Sequence, residues 1–302
     1  MAATGTLYVA ARAVDYLGIA LFAGGLFFVA ALWPPGGDNR GARAVVTSGW
    51  LLGLVGTIAA LGLQAAWIAG GPPSAMFDAE LVGSLLDVQT GRIWFAKALL
   101  WLLAGVVLAG LLNGGERAVR SVAWRVAAGA VALGLVRAAG LTGHAADGDT
   151  PLTGQLAALV HLAGVSLWVG GLAVLLFGVL SRRRPDELAA VVPRYSRLAM
   201  TSVLLVVTAG VVLAWQSLGS ADRLTTTSYG QTLLGKLALV AAVLLVAYSS
   251  RSWVGARLDF AVVLRGPVAV VRPFVYSVAA ETVLVVGVLA AASFLVTADP
   301  GR

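Results

Sequence analysis

Eight long apolar segments constrain what this chain can fold into more than any other feature. They comprise residues 7–33, 43–69, 92–113, 119–141, 152–180, 195–218, 231–253 and 272–297. Each is near or above the length of about 20 residues that a helix needs to cross a bilayer. In lipid every backbone polar group must be hydrogen-bonded inside the protein, which a helix achieves alone. We therefore predict an all-α, polytopic membrane protein with eight transmembrane helices.

The composition supports a membrane protein and excludes several function classes. Of 302 residues, 59% are hydrophobic and only 12% are charged, whereas soluble domains carry about 25% charged residues. Cysteine is absent, which excludes disulfides, thiolate metal sites and cysteine nucleophiles. No Walker loop, dinucleotide fingerprint or serine nucleophile elbow is present. We therefore expect a membrane-embedded protein that is not an enzyme.

The basic residues follow the odd-numbered connections between the apolar segments. These connections and their edges carry Arg40 and Arg43; Arg117 and Arg120; Arg182, Arg183, Arg184, Arg194 and Arg197; and Arg251, Arg257, Arg265 and Arg272. The even-numbered connections are acidic or nearly neutral, and the longest, 70–91, has room for a short surface helix. Such asymmetry places basic loops in the cytoplasm and both termini outside. The net charge of +7 thus reflects membrane topology, and we expect no nucleic-acid partner.

A repeated pattern divides the chain into two related halves. The residues at helical offsets 0, 3, 7 and 10 are Asp15, Gly18, Phe22 and Gly25 in the first segment and His161, Gly164, Trp168 and Gly171 in the fifth. Residues at these offsets share one helix face. We predict two parallel four-helix halves, 1–141 and 142–302. Glycine faces such as these pack helices within a chain or between chains, which leaves a homo-oligomer open.

Several ionisable residues lie inside the predicted spans. Asp15, His161 and Glu281 are each about 13 Å from the start of their spans, close to the membrane centre. A charge at that depth needs a partner or a function. The three groups could relay protons, carry a cation, or simply hydrogen-bond neighbouring helices. For Lys97 and Lys236, nearer the outer surface, we expect side chains that extend to the interface.

A second polar cluster follows the fourth span. His144, Asp147 and Asp149 have the donor chemistry of a hard-to-borderline cation site, although an acidic loop of this kind is also often only solvated. If the site is real, His144 could collect a metal ion at the outer surface and His161 could receive it deeper in the membrane.

Several motifs in the chain are similar to those of the bacterial copper resistance D (CopD) family. They are Ala11-Arg12, Tyr16-Leu17 and Phe22-x-Gly24; Gly143-His144-Ala; His161-Leu-x-x-x-x-Leu-Trp168-Val-Gly170-Gly171-Leu; Arg194-Tyr-Ser196-Arg; Thr208-Ala-Gly210; and Thr227-Ser-Tyr229-Gly230-Gln-Thr-Leu-Leu-Gly-Lys236 with Arg251. The resemblance implies an eight-helix protein of the bacterial cytoplasmic membrane that helps to move a copper ion, often with a periplasmic copper-binding partner. It supports His144 and His161 as copper-handling residues.

The ligand chemistry leaves the oxidation state of copper open. Three methionines and no cysteine are few soft ligands for Cu(I), so an outer Cu(II)-tolerant site or a ligand from a partner fits better. We therefore interpret the chain as a copper transporter that uses His144, His161, Asp147, Asp149, Asp15 and Glu281. The alternatives are a bis-histidine haem protein for membrane electron transfer and a non-transporting copper-delivery or assembly subunit.

Overall fold

The fold is helical throughout the part of the chain that the computed structural model describes. The described residues are 2–142, 151–182, 184–218, 220, 222–227, 230–231, 233–235, 237–238 and 241. The helices are α1 (Ala2–Phe27), α2 (Arg40–Ile68), α3 (Ala79–Leu86), α4 (Gln89–Arg120), α5 (Val122–Leu141), α6 (Pro151–Val174), α7 (Pro185–Leu218) and α8 (Arg223–Thr226). Within these ranges there is no β-strand.

Two of the long helices end in a wider π-helical turn, and two connections contain 3₁₀ turns. The π-helical turns are Phe28–Leu32 after α1 and Leu175–Leu180 after α6, and the 3₁₀ turns are Pro34–Asp38 and Pro73–Phe77. The 3₁₀ turn at Pro34–Asp38 follows the first span directly, so the span ends where the predicted segment 7–33 ends. The Asn39 side chain then caps α2 by accepting a hydrogen bond from the Ala42 amide, at 2.9 Å.

Six helical stretches are long and apolar enough to cross a membrane. They are Ala3–Leu32, Arg40–Ile68, Gln89–Arg120, Val122–Leu141, Leu152–Leu180 and Asp186–Gln216, and they correspond to the first six predicted spans. The short surface helix expected in the 70–91 connection is α3. The seventh predicted span is described only at scattered positions, and the eighth lies outside the described residues. The eight-helix count, the two related halves and the outer placement of both termini therefore stay predictions.

The sixth span differs from its prediction at its beginning. The sequence placed Arg194 and Arg197 in a loop or at its edge, but α7 begins at Pro185 and continues through Pro193. The carboxylates of Asp186 and Glu187 occupy its first turn, where they interact favourably with the helix dipole. The charged residues and prolines between positions 185 and 194 kept this first part of the helix out of the predicted apolar segment.

Glycine contacts set the packing of α1 against α2 and α6. A Cβ atom on Gly18 would overlap the backbone of Gly53 in α2, and one on Gly24 would overlap the Ser166 carbonyl oxygen in α6. A Cβ on Gly170 would likewise overlap the Ala20 carbonyl oxygen. The Gly-Gly pairs of the two similar motifs therefore pack against each other, and α1 lies between α2 and α6 at backbone contact.

The first, third and fifth connections meet at one end of the bundle. The Asp38 carboxylate contacts the Arg43 guanidinium at 3.0 Å and the Glu116 amide at 3.3 Å. Gly115, at φ 55°, lies directly beside that carboxylate, and the Arg182 guanidinium lies 5.9 Å from the Trp33 ring. These are connections that the charge pattern assigns to the cytoplasmic side.

Candidate functional site

Asp15 and Lys97 form an ion pair inside the apolar part of the bundle. The Lys97 Nζ atom donates to Asp15 Oδ2, and the two side chains are 0% and 1% exposed. Lys97 lies eight residues into α4, about 12 Å along the helix axis. The expectation that Lys97 extends to the outer interface is therefore wrong. The Asp15 carboxylate on α1 compensates the charge of the Lys97 ammonium, so the side chain does not need to extend to the membrane interface.

A chain of hydrogen bonds holds the Asp15 carboxylate in place. The Thr57 hydroxyl of α2 donates to Asp15 Oδ1 at 2.8 Å, and the Trp101 indole of α4 donates to the Thr57 oxygen at 3.0 Å. The Trp50 indole donates in turn to the Trp101 backbone carbonyl, at 2.8 Å. Thr57 and Trp101 are fully buried. The glycine contacts between α1 and α2 allow this network, because they bring Thr57 within hydrogen-bond distance of Asp15.

Aromatic rings surround the cationic groups near this pair. The Lys97 ammonium lies 4.7 Å from the centre of the Trp94 ring and 5.9 Å from that of Tyr16. The Arg12 guanidinium lies 5.5 Å from the Tyr16 ring and donates to the Tyr16 hydroxyl at 2.6 Å. These distances are within the range of a cation–π attraction. Tyr16 thus connects the buried ion pair to the partly buried Arg12.

His161 lies at the contact between α6 and α7. Its Nδ1 atom is 2.9 Å from the Val206 backbone carbonyl oxygen, so Nδ1 carries the proton that is donated in this hydrogen bond. In the neutral imidazole the lone pair is then on Nε2, the arrangement that metal-binding histidines commonly show. A Cβ on Gly210 would lie 3.6 Å from the imidazole ring, so α7 places a glycine directly against the ring.

The structure gives the two described candidate residues different neighbours. Asp15 contacts α2 and α4, whereas the hydrogen bond given above joins His161 to α7. Within the described residues, no group of three or more histidine, aspartate or glutamate side chains is arranged to hold a metal ion. His144, Asp147, Asp149 and Glu281, and also Lys236, lie outside the described residues. The predicted metal-binding set therefore stays a prediction.

Three residues of the site were not identified from the sequence as such. Thr57 and Trp101 complete the Asp15 network, and Lys97 was recognised as an intramembrane charge without its partner. A buried threonine or tryptophan in an apolar segment carries no signal of its own, because these residues are common in membrane helices. The sequence offered only one clue to the pairing, an acidic residue in the first span and a basic residue in the third, and their predicted depths differed.

Comparison with known protein families covers most of the chain. The family described as "Copper resistance protein D-like, N-terminal domain" matches residues 1–155, and "Copper resistance protein D" matches residues 189–295. The chain belongs to the copper resistance protein D family. Asp15, Thr57 and Lys97 lie within the first match of this copper resistance D protein. His161 lies in the segment between the two matches.

The chain is also similar in sequence to a curated copper transport protein. This relative is the "Copper transport protein CutJ" of Bacillus subtilis strain 168, 31% identical over 251 residues that make up 78% of this chain and 44% of the relative. The chain thus spans less than half of the length of that relative. No solved structure shows a significant match to this chain. The membrane-spanning helices and the family membership together establish a multi-pass membrane protein.

Proposed function

We propose that the protein transports copper ions across the bacterial cytoplasmic membrane. The observation that carries this proposal is the match of two copper resistance D families to residues 1–155 and 189–295. The similarity to the Bacillus subtilis copper transport protein supports the same cargo. Six apolar helices of sufficient length supply the membrane-spanning structure that transport requires.

In this proposal the copper ion passes from an outer site to His161. His144, Asp147 and Asp149 supply imidazole and carboxylate donors that suit Cu(II) or a partner-delivered ion. His161 is the next ligand on the route. The hydrogen bond from its Nδ1–H to the Val206 carbonyl fixes the orientation of the imidazole ring. Glu281, at a similar predicted depth, would compensate the charge of the ion. An extracytoplasmic copper-binding protein would deliver or accept the ion.

Of the two described candidate ligands, His161 is the stronger. The Asp15 carboxylate is already neutralised by Lys97 and fixed by Thr57. A copper ion that reached Asp15 would have to displace a buried ammonium group, and uncompensated buried charges are costly. We therefore assign the cargo route to the α6–α7 side of the bundle, and the Asp15 pair to a different role.

The proposal is tested by replacing the two histidines singly. His144→Ala and His161→Ala should each return the copper content of cells to that of cells without the protein, and copper-loaded purified protein should lose its bound copper. Thr201→Ala is the matched control, because its exposed hydroxyl on α7 donates to the Arg197 carbonyl of the same helix, at 3.1 Å. Metal would be measured by mass spectrometry, in cells that also contain the extracytoplasmic partner.

The same samples separate the alternatives. Unchanged cellular copper in both histidine variants would refute the transport mechanism. Purified protein that binds no copper, with a copper phenotype only when a partner is present, would indicate a delivery or assembly subunit. A Soret absorption band in the purified protein would indicate a haem protein instead.

A further inference from the structure

The Lys97 ammonium group lies in a cage built from two helices. On one side is the Asp15 carboxylate of α1, which is held by the Thr57 hydroxyl at 2.8 Å. On the other sides are the Trp94 ring at 4.7 Å and the Tyr16 ring at 5.9 Å. Among the described residues, the buried Trp94 indole N–H has no hydrogen-bond partner. The ring is therefore held at this place by packing and by its contact with the ammonium group.

The cage matches a single positive charge. The carboxylate contributes one negative charge, and the faces of the two aromatic rings carry the negative side of their quadrupoles. Asp15, Trp94 and Lys97 are almost completely buried, so water cannot supply the compensation. Carboxylate oxygen is a hard donor and the cage contains no sulfur, which favours an alkali-type cation over a thiophilic metal ion. An ammonium group and a potassium ion are also of similar size.

We propose that this cage is a site for one singly charged cation and that Lys97 supplies the cation itself, as a tethered ammonium that excludes alkali-metal ions. The tether keeps the ammonium at a high effective concentration beside the carboxylate. A free ion from solution therefore cannot compete with it. This assignment holds whether or not the protein transports copper, because it concerns only the contacts among α1, α2 and α4.

The alternative is that the pair is only a link between helices, with no capacity for another cation. The two possibilities differ in Lys97→Met, because the methionine side chain is one heavy atom shorter than lysine and leaves the position of the Nζ atom vacant. In Lys97→Met an alkali ion should enter the cage and compensate Asp15. In the double variant Asp15→Asn with Lys97→Met the charge is absent on both sides, so no ion should bind.

The experiment uses the full-length protein in detergent, in rubidium, potassium or N-methylglucamine buffer. Bound rubidium is measured by mass spectrometry after rapid desalting, and the melting temperature is measured in each buffer. For Lys97→Met we expect one equivalent of rubidium beyond the wild type, and a higher melting temperature in rubidium or potassium than in N-methylglucamine. The wild type and the double variant should bind none and should melt at the same temperature in all three buffers.

Three results would overturn the proposal. The first is a folded Lys97→Met protein that binds no additional rubidium. The second is additional rubidium that persists in the double variant, which would place the ion elsewhere. The third is a Lys97→Met protein that fails to fold in rubidium and potassium as well as in N-methylglucamine, since the cation would then be unable to replace the ammonium.

Discussion

The energetic coupling between Asp15 and Lys97 is the prediction that tests the described structure most directly. Lys97→Met removes the ammonium and leaves a carboxylate that is 1% exposed; among the described residues, the side chain that still donates to it is Thr57. Removing one partner of a buried ion pair costs about 3–5 kcal/mol. The lost contact with the Trp94 ring, 4.7 Å away, is worth up to about 2 kcal/mol when it is desolvated. We expect a total loss of about 4 kcal/mol of unfolding free energy, about a thousandfold in the unfolding equilibrium.

The double variant Asp15→Asn with Lys97→Met should recover most of this loss. Its asparagine side chain keeps an oxygen that accepts from Thr57, and no uncompensated charge stays in the membrane. Polar contacts between membrane helices are worth about 0.6 kcal/mol on average, so the double variant should lie within about 1–2 kcal/mol of the wild type.

The assay is reversible unfolding in mixed detergent micelles in N-methylglucamine buffer, where no alkali ion can replace the ammonium, and it is followed by circular dichroism for the wild type, both single variants and the double variant. The coupling energy follows from the double-mutant cycle. If Lys97→Met were as stable as the double variant, the Asp15 carboxylate would not be an uncompensated charge in the single variant. The description of a buried, mutually dependent pair would then be refuted.

Two further changes test the packing around the site. Gly24→Leu should lower stability by at least about 1–3 kcal/mol, because its side chain would overlap the Ser166 carbonyl. The control Gly129→Ala has open space around the new Cβ and should be neutral or stabilising. Equal melting temperatures for the two variants would contradict the α1–α6 contact. Thr57→Val should lower the unfolding free energy by about 1–3 kcal/mol, because it removes a buried hydrogen-bond partner, and it should shift the tryptophan fluorescence. Thr57→Ser should keep the stability and the fluorescence of the wild type. A Thr57→Val protein with unchanged stability and fluorescence would show that the hydroxyl does not join Trp101 to Asp15.

The copper and rubidium measurements address separate parts of the molecule. Copper binding is assigned to His144 and His161, and the rubidium response to the Lys97 cage. A protein that lost copper in the histidine variants but showed no rubidium response in Lys97→Met would keep the transport proposal and lose only the cation cage. The reverse outcome would keep the cage and remove the proposed route.

The sequence predicted the existence of the first six spans, but it predicted where the helices begin and end less accurately. The apolar segment 92–113 lies within α4 (Gln89–Arg120), and the backbone of α4 leaves the helical conformation at Gly115 (φ 55°, ψ −134°), two residues after the predicted end. The opening glycine motifs of the first and fifth spans were recognised as similar. Their direct contact through Gly24 and Gly170 could not be predicted, since either face could have packed elsewhere or against another chain.

The sequence alone determined that this protein is a helical membrane protein, because segment length and apolarity act locally on each span. It also identified the charges that needed an explanation. Only the tertiary structure decided how Asp15 and Lys97 are compensated, since the two residues are 82 positions apart and Lys97 alone was equally compatible with the interface. The close glycine contacts between α1 and α2, together with the position of α4, bring carboxylate, hydroxyl and ammonium together, and charge compensation in a low-dielectric interior makes that arrangement the favourable one.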